Sequence, residues 1–336
     1  MATLLRSRCA RLCQSAAVLL TAALVASSFM PATTSAGDAR LAQASLPVSK
    51  LAVLVDGKWL TWWNSRIAPA QWSRELPAVA SAIAWRPSAS DGVEWGEMRI
   101  SGNGEAWRLR VIVARIDPRR VRFGLRRAIR GDSLGGAWTV DSAPRDAVFA
   151  VNAGQFSYGR PWGLVVRDGD EEQAPGRGPL STAIMIDSTG KVAFVPAHDI
   201  AAALAPTHPR EAFQSYPTLL TGDGTVPHEV RGVIDGIDLA HRDSRLALGQ
   251  LRDGRLLVAL TRFDGLNGAL SVVPFGPTVP EMSAIMGALG CRSAVMLDGG
   301  ISGQMLIRDS SLTLHLWRGW RMVPMALVAT ARAEQR

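Results

Sequence analysis

The sequence predicts an α+β fold: a strand-rich mixed sheet core with flanking helices, forming a single main domain over residues 85–335. Three observations carry that expectation. Short apolar or alternating runs recur from Trp85 to the C-terminus. Two stretches read as hairpins, each folding back at a turn signal. Only one segment combines the spacing, start and stop of a helix. With 336 residues, 47% hydrophobic and 20% charged, the chain can bury one large core or two modest ones.

Taken in order, the N-terminus stands apart. Arg6, Arg8 and Arg11 precede an apolar run from Ser15 to Met30, and small residues surround Ala36. A basic start, a short apolar centre and a small-residue exit describe an export signal over residues 1–36, with an uncleaved anchor as the alternative. No run is long enough to cross a membrane as a mature helix. A periplasmic or extracellular location follows, with membrane contact only through the signal if it stays attached. Residues 37–84 read as an N-terminal extension whose Trp59, Trp62 and Trp63 pack onto the main body, a carbohydrate-stacking face being the sharper alternative.

From residue 85 the strands follow. Glu97–Gly102 and Trp107–Pro118 read as strands, the second nearly fully buried at Val111–Val113. Asp146–Phe156 is a buried strand running into a glycine, and Pro161–Gly169 is another short strand segment. Thr182–Val195 and Leu246–Thr261 are the hairpins, turning at Ser188-Thr189-Gly190 and at Asp253-Gly254. Pro280–Leu289 is the helix: Thr278 and Glu281 have capping-box spacing, Met282, Ile285, Met286 and Leu289 share a face, and Gly290 stops it. The strand Ser293–Leu297 then delivers Asp298-Gly299-Gly300 at its end.

Composition excludes several function classes. The net charge of +8 falls to +5 without residues 1–36, and the arginines are scattered, so no basic stripe marks nucleic-acid binding. Cys9 and Cys13 lie in the signal, leaving Cys291 alone and excluding a disulfide framework. The five histidines lack metal-ligand spacing, so no cofactor is expected; a divalent cation beside Asp298 stays open, with few neighbouring oxygens to hold it.

The chemistry centres on Asp298. Glycines at 299 and 300 let backbone donors approach a ligand oxygen, although an Asp-initiated turn explains the same letters. Gly300-Ile301-Ser302-Gly303-Gln304 imitates a nucleophile elbow but lacks its last glycine and its helix, which argues against a serine hydrolase. Asn152, emerging from a buried strand beside Gly154, and Arg245, opening another strand, are further candidates. Glu281 is a second carboxylate that its capping spacing already explains.

The order of motifs adds more. Asn152-Ala-Gly-x-Phe156, Pro161-x-Gly163-Leu, Gln214-Ser215-x-Pro-x-Leu, Arg245-x-x-x-Gly with Asp253-Gly-Arg, Thr278-x-x-Glu281 and Leu297-Asp-Gly-Gly-x-Ser302 together resemble the phosphodiester glycosidase family, over residues 85–331. The resemblance implies an exported α+β domain that cleaves the bond between a sugar's anomeric carbon and a phosphodiester oxygen. It implies catalytic roles for Asp298, Arg245 and Asn152, with Arg245 holding the phosphate. It also implies substrate contacts from Gly154, Phe156, Gly163, Gln214, Ser215, Gly299, Gly300 and Ser302. The expected partner is a sugar–phosphate diester of an envelope or extracellular glycoconjugate. A non-catalytic carbohydrate- or phosphate-binding envelope protein and a glycosyl transferase are the alternatives. The sequence departs from the family's usual Asp-Gly-Gly-Gly-Ser-Ser at Ile301 and Gly303, and Gln155 and Tyr216 stand where smaller or different residues are frequent.

Overall fold

The structure, a computed structural model, describes residues 48–128, 136–231, 238–265 and 268–332. The export signal expected over residues 1–36, with Cys9 and Cys13, lies outside them, as does the start of the extension. No helix among the described residues is long and apolar enough to cross a membrane.

Three large sheets build the domain, and Gln155–Ser157 pairs with Arg160–Trp162 as a separate two-stranded ribbon. The largest has nine strands, ordered Thr218–Leu220, Cys291–Leu297, Leu246–Leu251, Leu256–Phe263, Leu109–Ile116, Val93–Ser101, Lys50–Val55 and Lys58–Asn64, with Arg86–Pro87 also paired to Val93–Ser101. A five-stranded sheet runs Leu314–Trp317, Met305–Arg308, Ala147–Asn152, Met325–Ala331, Val121–Arg127. The other five-stranded sheet runs Asp170–Gln173, Val165–Arg167, Glu211–Ser215, Thr182–Ile186, Val192–Pro196.

The described residues are 15% helical and 43% strand, so the fold is mostly β and only loosely the α+β arrangement expected from sequence. The ladders between the named strands are antiparallel, not mixed. Short connections account for this in the hairpin pairs, such as Thr182–Ile186 with Val192–Pro196 and Leu246–Leu251 with Leu256–Phe263, since parallel neighbours need long crossovers. Both hairpins form where the turn residues place them, with Ile186 opposite Val192 and Leu246 opposite Leu260.

The apolar runs are explained by burial on two faces. In Leu109–Ile116, Leu109, Val111 and Val113 enter one core while Ile112, Ala114 and Ile116 enter another. The first core lies under the helix Val279–Ala288; the second draws residues from all three sheets. A sheet covered on both sides therefore reads as continuous hydrophobicity rather than alternation. The extension contributes directly to this sheet: Leu51, Val53 and Trp63 are core residues, and Trp63 meets Trp72 edge-on at 5.1 Å, whereas Trp59 is exposed. Cys291 is a buried free thiol in the first core.

The helix forms as its capping letters require. The Glu281 backbone N–H donates to Thr278 Oγ1, and Glu281 Oε2 accepts from the Thr278 N–H at 2.9 Å. Arg242 grips the same fully buried carboxylate at 2.7 and 2.9 Å, and the Ser49 hydroxyl donates to it as well. With every acceptor oxygen so engaged, Glu281 is a structural residue.

Candidate functional site

Register brings the site together at one edge. Leu297 faces Leu246, so Asp298 emerges beside the Asp243–Arg245 segment. Met305 faces Val151 and Ala326 faces Asn152, which sets the end of Ala147–Asn152 against the other side of the same turn. The Asp298 N–H donates to the Gly154 carbonyl at 3.0 Å, closing the junction.

The Asp298 carboxyl sits in a desolvated position that pushes its pKa up from 3.8 to about 6. Burial is the main cause; the Ser302 hydroxyl and the Arg321 charge partly oppose it, and the neighbouring Asp243 carboxylate adds to it. Tyr216 shares this field: burial and the Asp298 charge hold its phenol above the ordinary range. Trp162 packs edge-on against Tyr216 at 5.5 Å, and the Gln155 side-chain amide donates to the Tyr216 carbonyl at 3.0 Å. The departures at 155 and 216 are thus one joined wall beside Asp298.

Asp243 is the residue that sequence reading missed. Its Oδ1 is buried without a hydrogen-bond partner among the described residues, and Oδ2 lies where a Cβ on Gly300 would be only 2.7 Å away. Burial raises its pKa, against the opposing charges of Arg245 and His241. Two carboxyls therefore flank one turn. The signal was present in sequence only as an acid two residues before Arg245, indistinguishable there from a loop aspartate.

The turn's glycines make room for the protein's own Ser244 carbonyl and Asp243 carboxylate. A Cβ on Gly299 would lie 2.5 Å from the Ser244 carbonyl oxygen, and the Gly300 N–H already donates to that oxygen at 2.6 Å. This corrects the expectation that Gly300 offers its amide to substrate. Gly299→Ala is expected to force the two backbones apart, costing about 1–3 kcal/mol in urea unfolding. Gly303 is likewise confined: its carbonyl accepts from Arg262, and a Cβ would press on Leu260 at 3.3 Å.

Arg262, also unmarked in sequence, is a buried cation under the turn. It donates to Ser244 Oγ at 2.9 Å, to the Gly303 carbonyl, and to the Arg318 carbonyl at 3.2 Å. Burial lowers its pKa to about 10.

Several expected site residues are committed elsewhere. Asn152 is fully buried; its Nδ2 donates to the Asp298 carbonyl at 2.8 Å and its Oδ1 accepts from the Gln304 N–H at 2.9 Å, so it fixes both ends of the turn. The Arg245 guanidinium donates to the Pro277 carbonyl at 3.0 Å and to the His241 carbonyl; burial lowers its pKa, and the Asp243 charge is the main one opposing that. It is a loop staple, and Arg321 is the arginine whose charge acts on Asp298. Gln214 accepts from the Leu164 and Gly176 N–H groups at 3.1 and 2.8 Å, which pins the segment around Gly163, where a Cβ would strike Gln214 Oε1 at 2.5 Å. The Ser215 hydroxyl donates to the Met296 carbonyl. Phe156 packs on two cores, and Gly154 lies against the Gln214 carbonyl, where a Cβ would come within 3.1 Å. The side-chain polar atoms of Asn152, Gln214 and Ser215 are thus engaged within the protein. Ser302, 3% exposed, stays with Asp298 and is followed by a strand, consistent with the rejected elbow. Among the described residues no group of three or more His, Cys, Asp or Glu could hold a metal ion.

A sequence profile for the family described as phosphodiester glycosidase matches residues 145–330, more than half the chain and every element of this site. Among solved structures, the chain is similar to the catalytic domain of zebrafish N-acetylglucosamine-1-phosphodiester alpha-N-acetylglucosaminidase, auto-inhibited by its pro-peptide. That match has a TM-score of 0.56 at 15% identity, over 74% of this chain and 88% of that one, a likeness of fold. Weaker matches are a hypothetical protein from Synechocystis (TM-score 0.43, 16% identity, 72% of this chain and 62% of that one) and a Burkholderia pseudomallei protein provisionally classed as exported (0.44, 17%, 88% and 88%). No curated protein sequence matches the chain.

Proposed function

The chain belongs to the phosphodiester glycosidase family, and on that footing we propose that it is an exported hydrolase cleaving the anomeric carbon–oxygen bond of a glycosyl phosphodiester. The observation that carries the reading is a desolvated carboxyl, Asp298, held by Ser302 at the meeting of four chain segments inside the matched region. A phosphomonoester leaving group, with a second pKa of about 6, departs with little help from an acid. The protein's task is then to stabilise positive charge at the anomeric carbon and hold the phosphate. Asp298 serves the sugar side as nucleophile or base. Arg321 takes the phosphate, in place of the Arg245 that sequence alone nominates. Asp243, with an unpartnered oxygen at the same turn, supplies the second carboxyl.

The test is release of free reducing sugar from methyl phosphodiesters of sugar 1-phosphates, beginning with N-acetylglucosamine, the sugar in the zebrafish enzyme's name. Release that disappears in Asp298→Ala supports the reading. Binding without release across the panel points to a non-catalytic protein, and sugar transferred to an added acceptor to a transferase.

The pH profile has a defined sign. Because the working form of Asp298 is the carboxylate, kcat/KM should fall as pH drops through about 6. Asp243 adds to the upward push, so Asp243→Asn should move that acid limb to lower pH. An unmoved limb would remove Asp243 from the site.

A further inference from the structure

A cleft of about 360 Å³ opens beside the reaction centre and is used by none of the chemistry above. Tyr216 and Pro217 form its near end; it continues past Thr218 and Leu220 to Gly222 and Ser293. Its position relative to Asp298 follows from the strand Cys291–Leu297. The Pro217 carbonyl accepts from the Met296 N–H at 3.0 Å, and Met296 lies two residues before Asp298, about 7 Å along a strand. Ser293 lies five residues before it, about 17 Å. The cleft thus leads away from the carboxyl for roughly 10 Å.

Its lining is mostly hydrocarbon, with His198 and Glu229 at the exposed rim. Pro179, Pro196, Pro217, Pro227, Phe194 and Leu220 supply hydrocarbon. The Ser181, Thr182 and Thr218 hydroxyls on its floor are paired with one another: Thr182 Oγ1 with Thr218 Oγ1 at 2.6 Å, Thr218 Oγ1 donating to Ser181 Oγ at 2.8 Å, and Ser181 Oγ also accepting the Thr218 N–H, which leaves Ser293 Oγ as the open hydroxyl at the far end. Thr221 donates to Asp223 at 2.7 Å. A floor whose hydroxyls are occupied favours a ligand that asks for no hydrogen bonds, and a sugar there would lose those it makes to water.

We propose that this cleft is the aglycone subsite and that the natural substrate is a glycosyl phosphodiester of a long-chain aliphatic alcohol. The proposal rests on the hydrolase reading for the word aglycone, while the cleft's affinity for hydrocarbon is measurable without turnover. Gly222 provides the control. It has no positive φ, and a Cβ there meets only Ser293 Oγ at 3.8 Å, so Gly222→Trp projects a side chain into the far end of the cleft at no backbone cost.

The experiment uses the full chain with alkyl phosphates from methyl to octyl, below their micelle concentrations, followed by calorimetry, and the corresponding N-acetylglucosaminyl alkyl diesters followed by sugar release. Affinity should rise about fourfold per methylene until the cleft is full. Gly222→Trp should erase the gain of the longer chains and leave the methyl compounds unchanged. Affinity flat with chain length, or a chain-length gain untouched by Gly222→Trp, overturns the proposal. Octyl phosphate binding with that chain-length and Gly222→Trp signature, but no sugar release from any diester, supports the hydrocarbon cleft and overturns the hydrolase reading instead.

Discussion

Asp298→Asn is expected to abolish sugar release, by roughly a hundred- to ten-thousandfold, while making the protein more stable at pH 8. The two effects have one origin. In the folded chain the carboxyl titrates at about 6, against an ordinary value of 3.8, chiefly because it is desolvated. A carboxyl whose folded pKa is raised stabilises the fold relative to its ionised form only at low pH. That stability is fully present below about pH 4 and is lost as pH rises through about 6. Above that range the ionised group costs the fold up to about 3 kcal/mol. Asn keeps the size and can still meet the Ser302 hydroxyl, yet carries no charge. Urea unfolding of wild type and variant should therefore coincide near pH 4 and separate, in the variant's favour, by pH 8. A variant that loses stability at pH 8 would show that Asp298 is held by compensating charges, and the case for a strained reactive carboxylate would fail.

Asn152→Ala carries the second largest effect, on stability first. The side-chain amide of Asn152 is the partner of both the Asp298 carbonyl and the Gln304 N–H, at 2.8 and 2.9 Å, and Gln304 is 1% exposed. Truncation leaves a buried donor and a buried acceptor unpaired, at about 1–3 kcal/mol each. Unfolding free energy should drop by about 2–5 kcal/mol. The turn between the two anchored positions carries Asp298, Gly299, Gly300 and Ser302, so the carboxyl loses its fixed place. Turnover should fall even under conditions where the variant remains folded by circular dichroism. Unchanged kcat in a folded Asn152→Ala protein would separate the clamp from the chemistry.

The turn also shows why a local motif can be read correctly and explained wrongly. Asp-Gly-Gly at a strand end is visible in the letters, and the glycines do mark a close approach. What approaches is the protein's own Ser244 carbonyl, 2.5 Å from a Cβ at Gly299, and Asp243, 2.7 Å from one at Gly300. Close approach by backbone and close approach by ligand leave the same signature in sequence. Arg245 and Arg321 make the same point for charge. Both are arginines near the turn in the fold, but a guanidinium ends a long flexible stem, and its partner is decided by which carbonyls lie within reach. The Pro277 and His241 carbonyls capture Arg245. Arg321, whose N–H donates to the Ile301 carbonyl, is brought in by a later segment folding over the turn.

Much of the frame was legible because it depends on short-range physics. Capping letters set the helix Val279–Ala288, an Asp-Gly turn set the hairpin at residue 254, and fully apolar runs set strands buried on two faces. The strands Val121–Arg127 and Met325–Ala331 were not legible, although they pair with each other along their whole length, because neither is bounded by a turn signal that names its partner. The sequence by itself determined the helix, the two hairpins and the most apolar strands, where the acid and its glycines stand, and which family's order of motifs they follow. Only the tertiary structure decided that Asp243 joins Asp298, that Asn152 is a clamp, and that an apolar cleft leads away from them. Those outcomes depend on register between strands distant in the chain and on which buried polar atom reaches a partner first, and neither quantity is local.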